Sequence, residues 1–462
     1  MKHFRFLIPL LLTVVAVLCF APTAWAFCGF YVAKADSKLY NKASQVIIAR
    51  DSDRTVLTMA NDYQGDVKDF AIVVPVPSVL KKEQVRVAEP KIIERLDAFS
   101  APRLVEYFDP DPCAQVDYLQ RPLAAPAPSR AANEAGSVRG DRSLGVTVEA
   151  RFNVGEYDIV ILSAKQSGGL ETWLNRNGYK IPRGAKQLLK PYIRSSMKFF
   201  VAKVNLDKFE ESGYQFLRPL QISYNSPKFM LPIRLGMINS TSEQDLIAYI
   251  LSPQGQAEVT NYRTVKVPSG DNIPVFVKSE FGDFYKSMFQ SSYTKEDKKV
   301  VFLEYAWDMG SCDPCSADPL NQEELKQAGV FWLDKPDKLD NNFPPNRPMP
   351  PGFGFPSSNV FITRLHVRYT RDKFPEDLMF QTTSNRENFQ GRYVLQHAYT
   401  GEAKCQAGRE YKRTLPRRFE QEAQTLAKLT NWNIQDIRKK MKLTYGQLTN
   451  SWWGNLVSWL KL

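Results

Sequence analysis

The sequence is short of the residues and motifs on which most enzymes depend. Its 462 residues include only three histidines and six cysteines, and no G-x-S-x-G, H-E-x-x-H, P-loop or G-x-G-x-x-G motif occurs in it. These absences remove the motif-bearing hydrolases, the zinc proteases and the nucleotide-binding enzymes as specific predictions. With 43% hydrophobic and 24% charged residues, the composition is that of a folded globular protein, and not that of a disordered chain or a multi-span membrane protein.

The long apolar run of the chain lies at its N-terminus, between Phe6 and Phe20. Lys2 and Arg5 precede this run, and Ala24-Trp25-Ala26 follows it in the small-x-small pattern of a cleavage site. A run of about 15 residues is short for a membrane span but typical of a secretory signal peptide. The sequence therefore predicts a signal peptide over residues 1–26, cleavage after Ala26, and an exported protein in the periplasm or outside the cell.

Export decides how the cysteines are interpreted, because disulfides form and persist in oxidising compartments. Cleavage removes Cys19 and leaves five cysteines, which are Cys28, Cys113, Cys312, Cys315 and Cys405. An odd number leaves one free thiol and fifteen arrangements of two bridges. The scheme we favour pairs Cys28 with Cys113, which would fasten the new N-terminus, and pairs Cys405 with either Cys312 or Cys315.

Two other chemistries are open to the Cys312-Asp313-Pro314-Cys315 segment. Its spacing resembles thioredoxin-type redox sites, with Cys312 as the attacking and Cys315 as the resolving thiol. The predicted helix from Asn321 to Ala328 begins too late to lower a thiolate pKa, so structural bridging is favoured and a thiol-disulfide oxidoreductase is the alternative. A zinc site of Cys312, Cys315, Cys405 and His397 is the weakest interpretation, since only the C-x-x-C half has suitable spacing. We expect no metal and no cofactor.

After signal cleavage only His366 and His397 remain as histidines. Both fall in strand-like segments, and neither has a carboxylate or nucleophile motif beside it in the sequence. We therefore expect ordinary hydrogen-bonded strand histidines, and we do not expect an enzyme.

Strand-like segments dominate the middle of the chain. Between Gln45 and Pro77 the segments QVIIAR, RTVLTMA and DFAIVVPVP predict a β-meander, and Met230 to Met237 predicts a further strand. Amphipathic spacing predicts short helices, for example over Pro90 to Phe99. The sequence therefore predicts an α+β fold that is predominantly antiparallel β-sheet, with several short helices and a helical C-terminal tail. This body spans residues 27–410, with a mobile loop at 121–145 and a Pro-rich insert at 341–356.

The tail over residues 411–462 carries most of the positive charge. It holds ten Lys or Arg residues against three acidic residues, in a chain of net charge +12. Four cations precede an apolar face rich in tryptophan: Arg438, Lys439, Lys440 and Lys442 come before Trp452, Trp453, Leu456, Trp459 and Leu460. Such a segment can lie on an anionic membrane surface, or it can dock its tryptophans onto the body. An exported protein has little access to nucleic acid, so we expect an envelope partner or polymer instead.

Five short blocks occur along the chain in a fixed order: DFAIVVPVP at Asp69–Pro77, WLNRNGYKIP at Trp173–Pro182, LPIRLG at Leu231–Gly236, CDPC at Cys312–Cys315 and ITRLHVRY at Ile362–Tyr369. Together they resemble the exported bacterial family known as domain of unknown function 2330, and the likeness runs from Cys28 to about Trp432. The resemblance implies a bacterial envelope protein and brings no activity or catalytic residue. The expected function is a non-enzymatic binding or structural module that disulfides stabilise.

Overall fold

The computed structural model describes residues 30–33, 43–60, 70–114, 146–177, 185–213, 217–238, 243–311, 313, 316–333 and 359–446. The predicted signal peptide, the loop at 121–145 and the insert at 341–356 lie outside the described residues. So do Cys28, Cys312, Cys315 and the tail beyond Gly446. Within the described residues, no helix is both long and apolar enough to cross a membrane.

The strands are numbered in chain order. They are β1 (Phe30–Ala33), β2 (Ala43–Asp51), β3 (Arg54–Met59), β4 (Phe70–Val76), β5 (Val85–Val87), β6 (Arg103–Phe108), β7 (Val146–Val154), β8 (Tyr157–Ala164), β9 (Lys198–Val204), β10 (Leu220–Asn225), β11 (Met230–Leu231), β12 (Gln244–Ser252), β13 (Ala257–Val259), β14 (Arg263–Lys266), β15 (Asn272–Ile273), β16 (Val300–Asp308), β17 (Phe361–Tyr369), β18 (Leu378–Thr382), β19 (Phe389–Gln390) and β20 (Arg392–His397).

The α-helices are shorter elements until the C-terminal part of the chain. They are α1 (Lys91–Ser100), α2 (Ser167–Arg176), α3 (Ala185–Arg194), α4 (Leu206–Ser212), α5 (Phe281–Lys295), α6 (Gln322–Gln327), α7 (Gln406–Thr430) and α8 (Ile434–Gly446). A 3₁₀ helix, Val275–Glu280, leads into α5.

Most strand pairs are antiparallel. The large sheet has the order β14-β16-β17-β12-β2-β3-β10-β5, with β19 beside β16, and a second sheet has the order β1-β4-β9-β8-β7. Two three-stranded sheets, β11-β18-β13 and β15-β20-β6, complete the set. Parallel pairing occurs at β2–β12, β14–β16, β15–β20 and β6–β20. The predicted α+β class with predominantly antiparallel sheet is therefore confirmed.

Alternation along the strands of the large sheet divides its side chains between two cores. On β17, Leu365 and Val367 point into the layer shared with the five-stranded sheet, where Ile72 and Phe200 are buried. Residues of the opposite face pack beneath α1 and α6. A third core joins helices α5, α7 and α8 to strands β14 and β20, so the C-terminal helices pack against these two strands.

Two local predictions are wrong. The β-meander fails because β2 and β3 pair in the large sheet, whereas β4 pairs with β1 and β9 in the five-stranded sheet. The strand predicted over Met230 to Met237 ends at Leu231, and a turn and a 3₁₀ helix follow. In both cases apolar content indicated a buried segment, but it did not decide which sheet, or which backbone form, buries that segment.

Candidate functional site

A disulfide joins two distant parts of the chain. Cys113 follows β6, and Cys405 is the N-cap residue of α7; their Cα atoms are 5.9 Å apart and 292 residues separate them in the sequence. The Cys405 sulfur accepts a hydrogen bond from the backbone N–H of Gly408, and so caps the helix. The predicted pairings of Cys28 with Cys113, and of Cys405 with Cys312 or Cys315, are therefore wrong. Sequence separation gave no indication of which cysteines the fold brings together.

A partly buried carboxylate, Asp109, binds the same two parts of the chain next to the disulfide. It accepts hydrogen bonds from Gln396 on β20 at 2.5 Å, from the Tyr411 hydroxyl at 2.5 Å and from Arg418 Nη1 at 2.6 Å. Burial alone would raise the pKa of Asp109, but these donors lower it below its usual value. The segment that carries Cys113 is therefore held to α7 both by a covalent bond and by a charged cluster.

Glu422 occupies the apolar side of α7 without a hydrogen-bond donor. It lies among Leu415, Phe419, Ala423 and Leu426, and its side chain is only 2% exposed. Neither carboxylate oxygen has a hydrogen-bond partner within the described residues, and Arg418 Nε is 3.5 Å away. Burial raises the pKa of Glu422 to about 7, because the attraction of Arg418 does not offset desolvation and the nearby Asp109 adds repulsion. In the folded protein this side chain therefore stays protonated to a higher pH than an ordinary glutamate.

We expect Glu422→Gln to stabilise the protein in mildly alkaline solution. A folded-state pKa of about 7, above the unfolded value near 4.5, means that the stability this group supplies below about pH 4.5 is lost as the pH rises through 7. The neutral amide removes that loss, so the free energy of unfolding should rise by up to about 3 kcal/mol near pH 8 and change little near pH 4.5. Urea denaturation at the two pH values measures the difference.

The matched control for that experiment lies two residues away on α7. Glu420 pairs with Arg438, and its hydrogen bond with that guanidinium lowers its pKa. Glu420→Gln should therefore lose a little stability near pH 8 and gain none. An equal gain in both variants would show that the effect comes from net charge and not from the buried site.

A second cluster is a chain of alternating charges, here called the ion row, formed by Asp97, Arg364, Glu304, His366, Asp245 and Arg368. Arg364, His366 and Arg368 occupy alternate positions of β17, on the face opposite Leu365 and Val367. The register between β16 and β17 shifts between Leu303 and Tyr305, which is a bulge at Glu304. Bulges re-aim side chains, and here the Glu304 carboxylate lies between Arg364 and His366.

The contacts of the ion row are continuous. Arg364 Nη1 lies 2.7 Å from Asp97 Oδ1, and its Nε lies 2.6 Å from Glu304 Oε2. His366 Nδ1 lies 2.7 Å from Glu304 Oε1, and its Nε2 lies 3.1 Å from Asp245 Oδ1. Arg368 donates to both Asp245 oxygens at 2.8 Å. The row thus ties α1 to β16, β17 and β12.

Electrostatics fixes the protonation states in the row. Burial alone would lower the pKa of His366, but Glu304 and Asp245 raise it to about 9. Burial alone would raise the pKa of Glu304, but the charges of His366 and Arg364 lower it to about 2. His366 is therefore a cation at neutral pH with both ring nitrogens donating, which makes it unsuited to act as a general base. The sequence shows no carboxylate motif beside His366, because its carboxylate partners Glu304 and Asp245 lie on other strands.

His397 is also paired with a carboxylate. Its Nε2 lies 2.8 Å from Glu106 Oε2, and Lys278 Nζ lies 2.7 Å from the other oxygen of Glu106. The ring of Phe108, which is 70% exposed, stacks on the imidazole at 4.4 Å between centroids. Of the predicted zinc ligands, His397 is thus engaged with Glu106 and Cys405 with Cys113. Within the described residues, no group of three or more His, Cys, Asp or Glu side chains is arranged to hold a metal ion.

The segment between Cys312 and Cys315 is described only at Asp313. Its carboxylate is buried and accepts hydrogen bonds from the Tyr305 hydroxyl at 3.0 Å and from Gln390 at 2.7 Å. The hydroxyl of Ser316 donates to the backbone carbonyl of Phe99 at the end of α1. These contacts hold Asp313 to β16 and β19, and Ser316 to the end of α1. A redox role for Cys312 and Cys315 remains a prediction, since both lie outside the described residues.

Of the four cations in the predicted membrane tail, two form ion pairs with acidic residues and two do not. Arg438 Nε donates to Glu420 Oε2 at 3.0 Å, and Lys440 Nζ lies 2.6 Å from Glu280 Oε2. Lys439 and Lys442 are exposed. Helix α8 itself docks on the body, since Ile437 and Met441 are buried in the core that α5 and α7 share. Trp452, Trp453, Leu456, Trp459 and Leu460 lie outside the described residues.

Sequence reasoning missed the charged residues at the centre of both clusters. Glu422 could have been noticed, because a carboxylate within the apolar stripe Leu415, Phe419, Ala423 and Leu426 is unusual at helical spacing. The alternation of Arg364, His366 and Arg368 likewise marks a polar strand face. Nothing in the sequence indicates their partners Glu304 and Asp245, since each lies at least sixty residues away from the residues of β17 that it binds.

These observations define a β-rich α+β protein whose helix α7 is fastened to the segment after β6 by a disulfide and by the Asp109 cluster. The family model described as an uncharacterized protein conserved in bacteria, DUF2330, matches residues 22–381. This is well over half of the chain, so the chain belongs to that family. No curated protein and no solved structure matches the chain. The disulfide joins Cys113, inside the matched residues, to Cys405, beyond them.

Proposed function

We propose that the protein is an exported bacterial envelope protein that acts as a binding or structural module. The observation that carries the proposal is the Cys113–Cys405 disulfide, because such bonds are stable in oxidising compartments and rare in the reducing cytosol. The signal-peptide pattern over residues 1–26 supports the same compartment. The proposal adds a location and a role to the assignment to an uncharacterised bacterial family.

The arrangement of charged groups supports a role other than catalysis. His366 is held as a cation between two carboxylates, and His397 is paired with Glu106. The catalytic clusters of hydrolases need a base that can accept a proton near neutral pH. In the ion row the charged groups satisfy one another, and they connect α1 to the sheet. Such an arrangement fits a rigid scaffold that presents a surface to a partner.

Export and oxidation can be tested together in a bacterial host. We expect the full chain to appear in the periplasmic fraction, shortened by the predicted 26 residues, and to migrate differently on gels with and without reductant. A variant that lacks residues 2–26 should remain in the cytosol with reduced thiols. Cys113→Ala/Cys405→Ala should reduce the reductant-dependent shift of the exported chain. A full chain that stays cytosolic, or an exported chain with no such shift, would contradict the proposal.

The partner within this proposal is an anionic surface of the envelope, reached through the C-terminal tail. The support is the concentration of charge, with ten cations against three acidic residues over residues 411–462, followed by the Trp-rich end. Peripheral membrane segments combine cations with interfacial tryptophan in this way. Nine of the ten cations lie on α7 and α8, and only Lys461 lies beyond Gly446 together with the tryptophans.

A further inference from the structure

Helices α7 and α8 form a pair, and the apolar residues on its inner side are buried. Phe419, Ala423 and Leu426 of α7 and Ile437 and Met441 of α8 are buried in one core with α5. The left-handed residue Asn431 ends α7, and α8 begins three residues later. The contact of Arg438 with Glu420 places α8 beside the middle of α7. The pair therefore presents a single outer side to solvent.

Several acidic residues near the pair are bound by cations, whereas Glu410 on α7 and Asp436 on α8 are exposed. Glu420 is bound by Arg438, and Glu280 is bound by Lys440. Asp109 is bound by Arg418, which also faces Glu422. These contacts remove Arg438 and Lys440, which the sequence indicated as surface contacts, from the set of unpaired cations.

Four other cations on the two helices are here called the outer basic face: Arg413 and Arg417 on α7, and Lys439 and Lys442 on α8. All four are exposed, and none has an ion pair or a side-chain hydrogen bond within the described part of the chain. Arg413 and Arg417 are four residues apart and Lys439 and Lys442 are three apart, so each pair stacks on one side of its helix. Like charges at these spacings repel one another and favour an anionic surface as partner.

We propose that the outer basic face docks on an anionic phospholipid bilayer, with α7 and α8 lying parallel to the membrane. The cations lie on two adjacent helices, and each cation near an anionic bilayer strengthens binding about fivefold. Residues 447–462 follow directly from α8, and their tryptophans are of the type that enters the headgroup region. This inference rests on the proposed envelope location, and it assigns the electrostatic contact to α7 as well as to α8.

The test compares binding of the purified exported protein to vesicles of phosphatidylglycerol mixed with phosphatidylcholine and to vesicles of phosphatidylcholine alone. The variant Arg413→Glu/Arg417→Glu/Lys439→Glu removes three cations and adds three repelling carboxylates. It should bind the anionic vesicles at least about 100-fold more weakly than the unchanged protein. Because all three side chains are exposed, circular dichroism should show an unchanged fold.

Helix α3 offers a matched control with the same number of cations. Lys186, Lys190 and Arg194 are exposed at every fourth position of α3. Lys186→Glu/Lys190→Glu/Arg194→Glu makes the same change of net charge away from α7 and α8, and it should weaken vesicle binding by only a few-fold. Equal losses in the two triple variants would overturn the proposal, because net charge and not the outer basic face would then be responsible.

Two further outcomes would also overturn the proposal. Equal binding to both kinds of vesicle would show that charge is not recognised. Retention of the protein by soluble polyphosphate without binding to vesicles would indicate a polyanion as partner and not a membrane. Vesicle binding is measured on purified protein, so a failure of export in cells and a failure of membrane binding are distinguished.

Discussion

Removing the Cys113–Cys405 disulfide should lower the free energy of unfolding by on the order of 5 kcal/mol. The bond closes a loop that spans 292 positions of the sequence, and the entropy that a cross-link removes from the unfolded chain increases with loop length. The double variant Cys113→Ala/Cys405→Ala makes the change without leaving a new free thiol at either position. The midpoint of urea unfolding, with and without reductant, measures it.

The wild-type protein serves as its own control in that experiment. In reductant its midpoint should fall to that of the double variant measured in the same reductant. The loss should be greatest at α7, because Cys405 caps the first turn of that helix and Asp109 binds two of its side chains. A double variant as stable as the oxidised wild type would contradict the role assigned to the bond.

Glu304→Ala should lower the free energy of unfolding by about 3 to 5 kcal/mol. The carboxylate is fully buried and lies between Arg364 and His366, and it also accepts a hydrogen bond from the Tyr285 hydroxyl. Its removal leaves two buried cations with Asp97 and Asp245 as their remaining partners. Removing one member of a buried charged network lowers the free energy of unfolding by more than the intact pair contributes, because the remaining charge stays desolvated.

Glu387→Ala is the control for the Glu304 experiment. Glu387 forms an ion pair with Lys266, but both side chains are about half exposed or more. Exposed pairs contribute little, so the loss should stay below about 1 kcal/mol. Similar losses in the two variants would show that the ion row contributes no more to the free energy of unfolding than an exposed ion pair.

The ion row also predicts how stability depends on pH. The pKa of His366 is raised to about 9 in the folded protein, so the stability that its charge supplies is fully present below about pH 6.5 and is lost as the pH rises through 9. In Glu304→Ala the charge that contributes most to raising this pKa is gone, and the loss over this range should be smaller. Unfolding midpoints across the range test this directly.

Local patterns predicted the elements of the fold better than their arrangement. The helix at Pro90 to Phe99 appears as α1, and the segments QVIIAR and RTVLTMA appear as β2 and β3, because amphipathic spacing and Val and Ile content depend on neighbouring residues. The placement of β4 in a second sheet depends on contacts with β9, more than a hundred residues later. No local pattern carries that information.

The same limit applies to the candidate site. Sequence reasoning identified Cys113 and Cys405 as disulfide candidates, but it paired each with a different cysteine. The pairing follows from β6 lying beside β20 and from the short connection between β20 and α7, which places the two cysteines within 5.9 Å between Cα atoms. Glu304 and Asp245 were missed for a related reason, because a bulge on β16 and the register of β12 bring them to His366.

The most direct test of the account is to map the cysteines of the protein recovered from the exported fraction. Free thiols are alkylated, the protein is digested without reduction, and linked peptides are identified by mass spectrometry. The account predicts a peptide pair joined through Cys113 and Cys405 in protein that begins after Ala26. Free thiols at both positions, or Cys113 joined to Cys28, would contradict it.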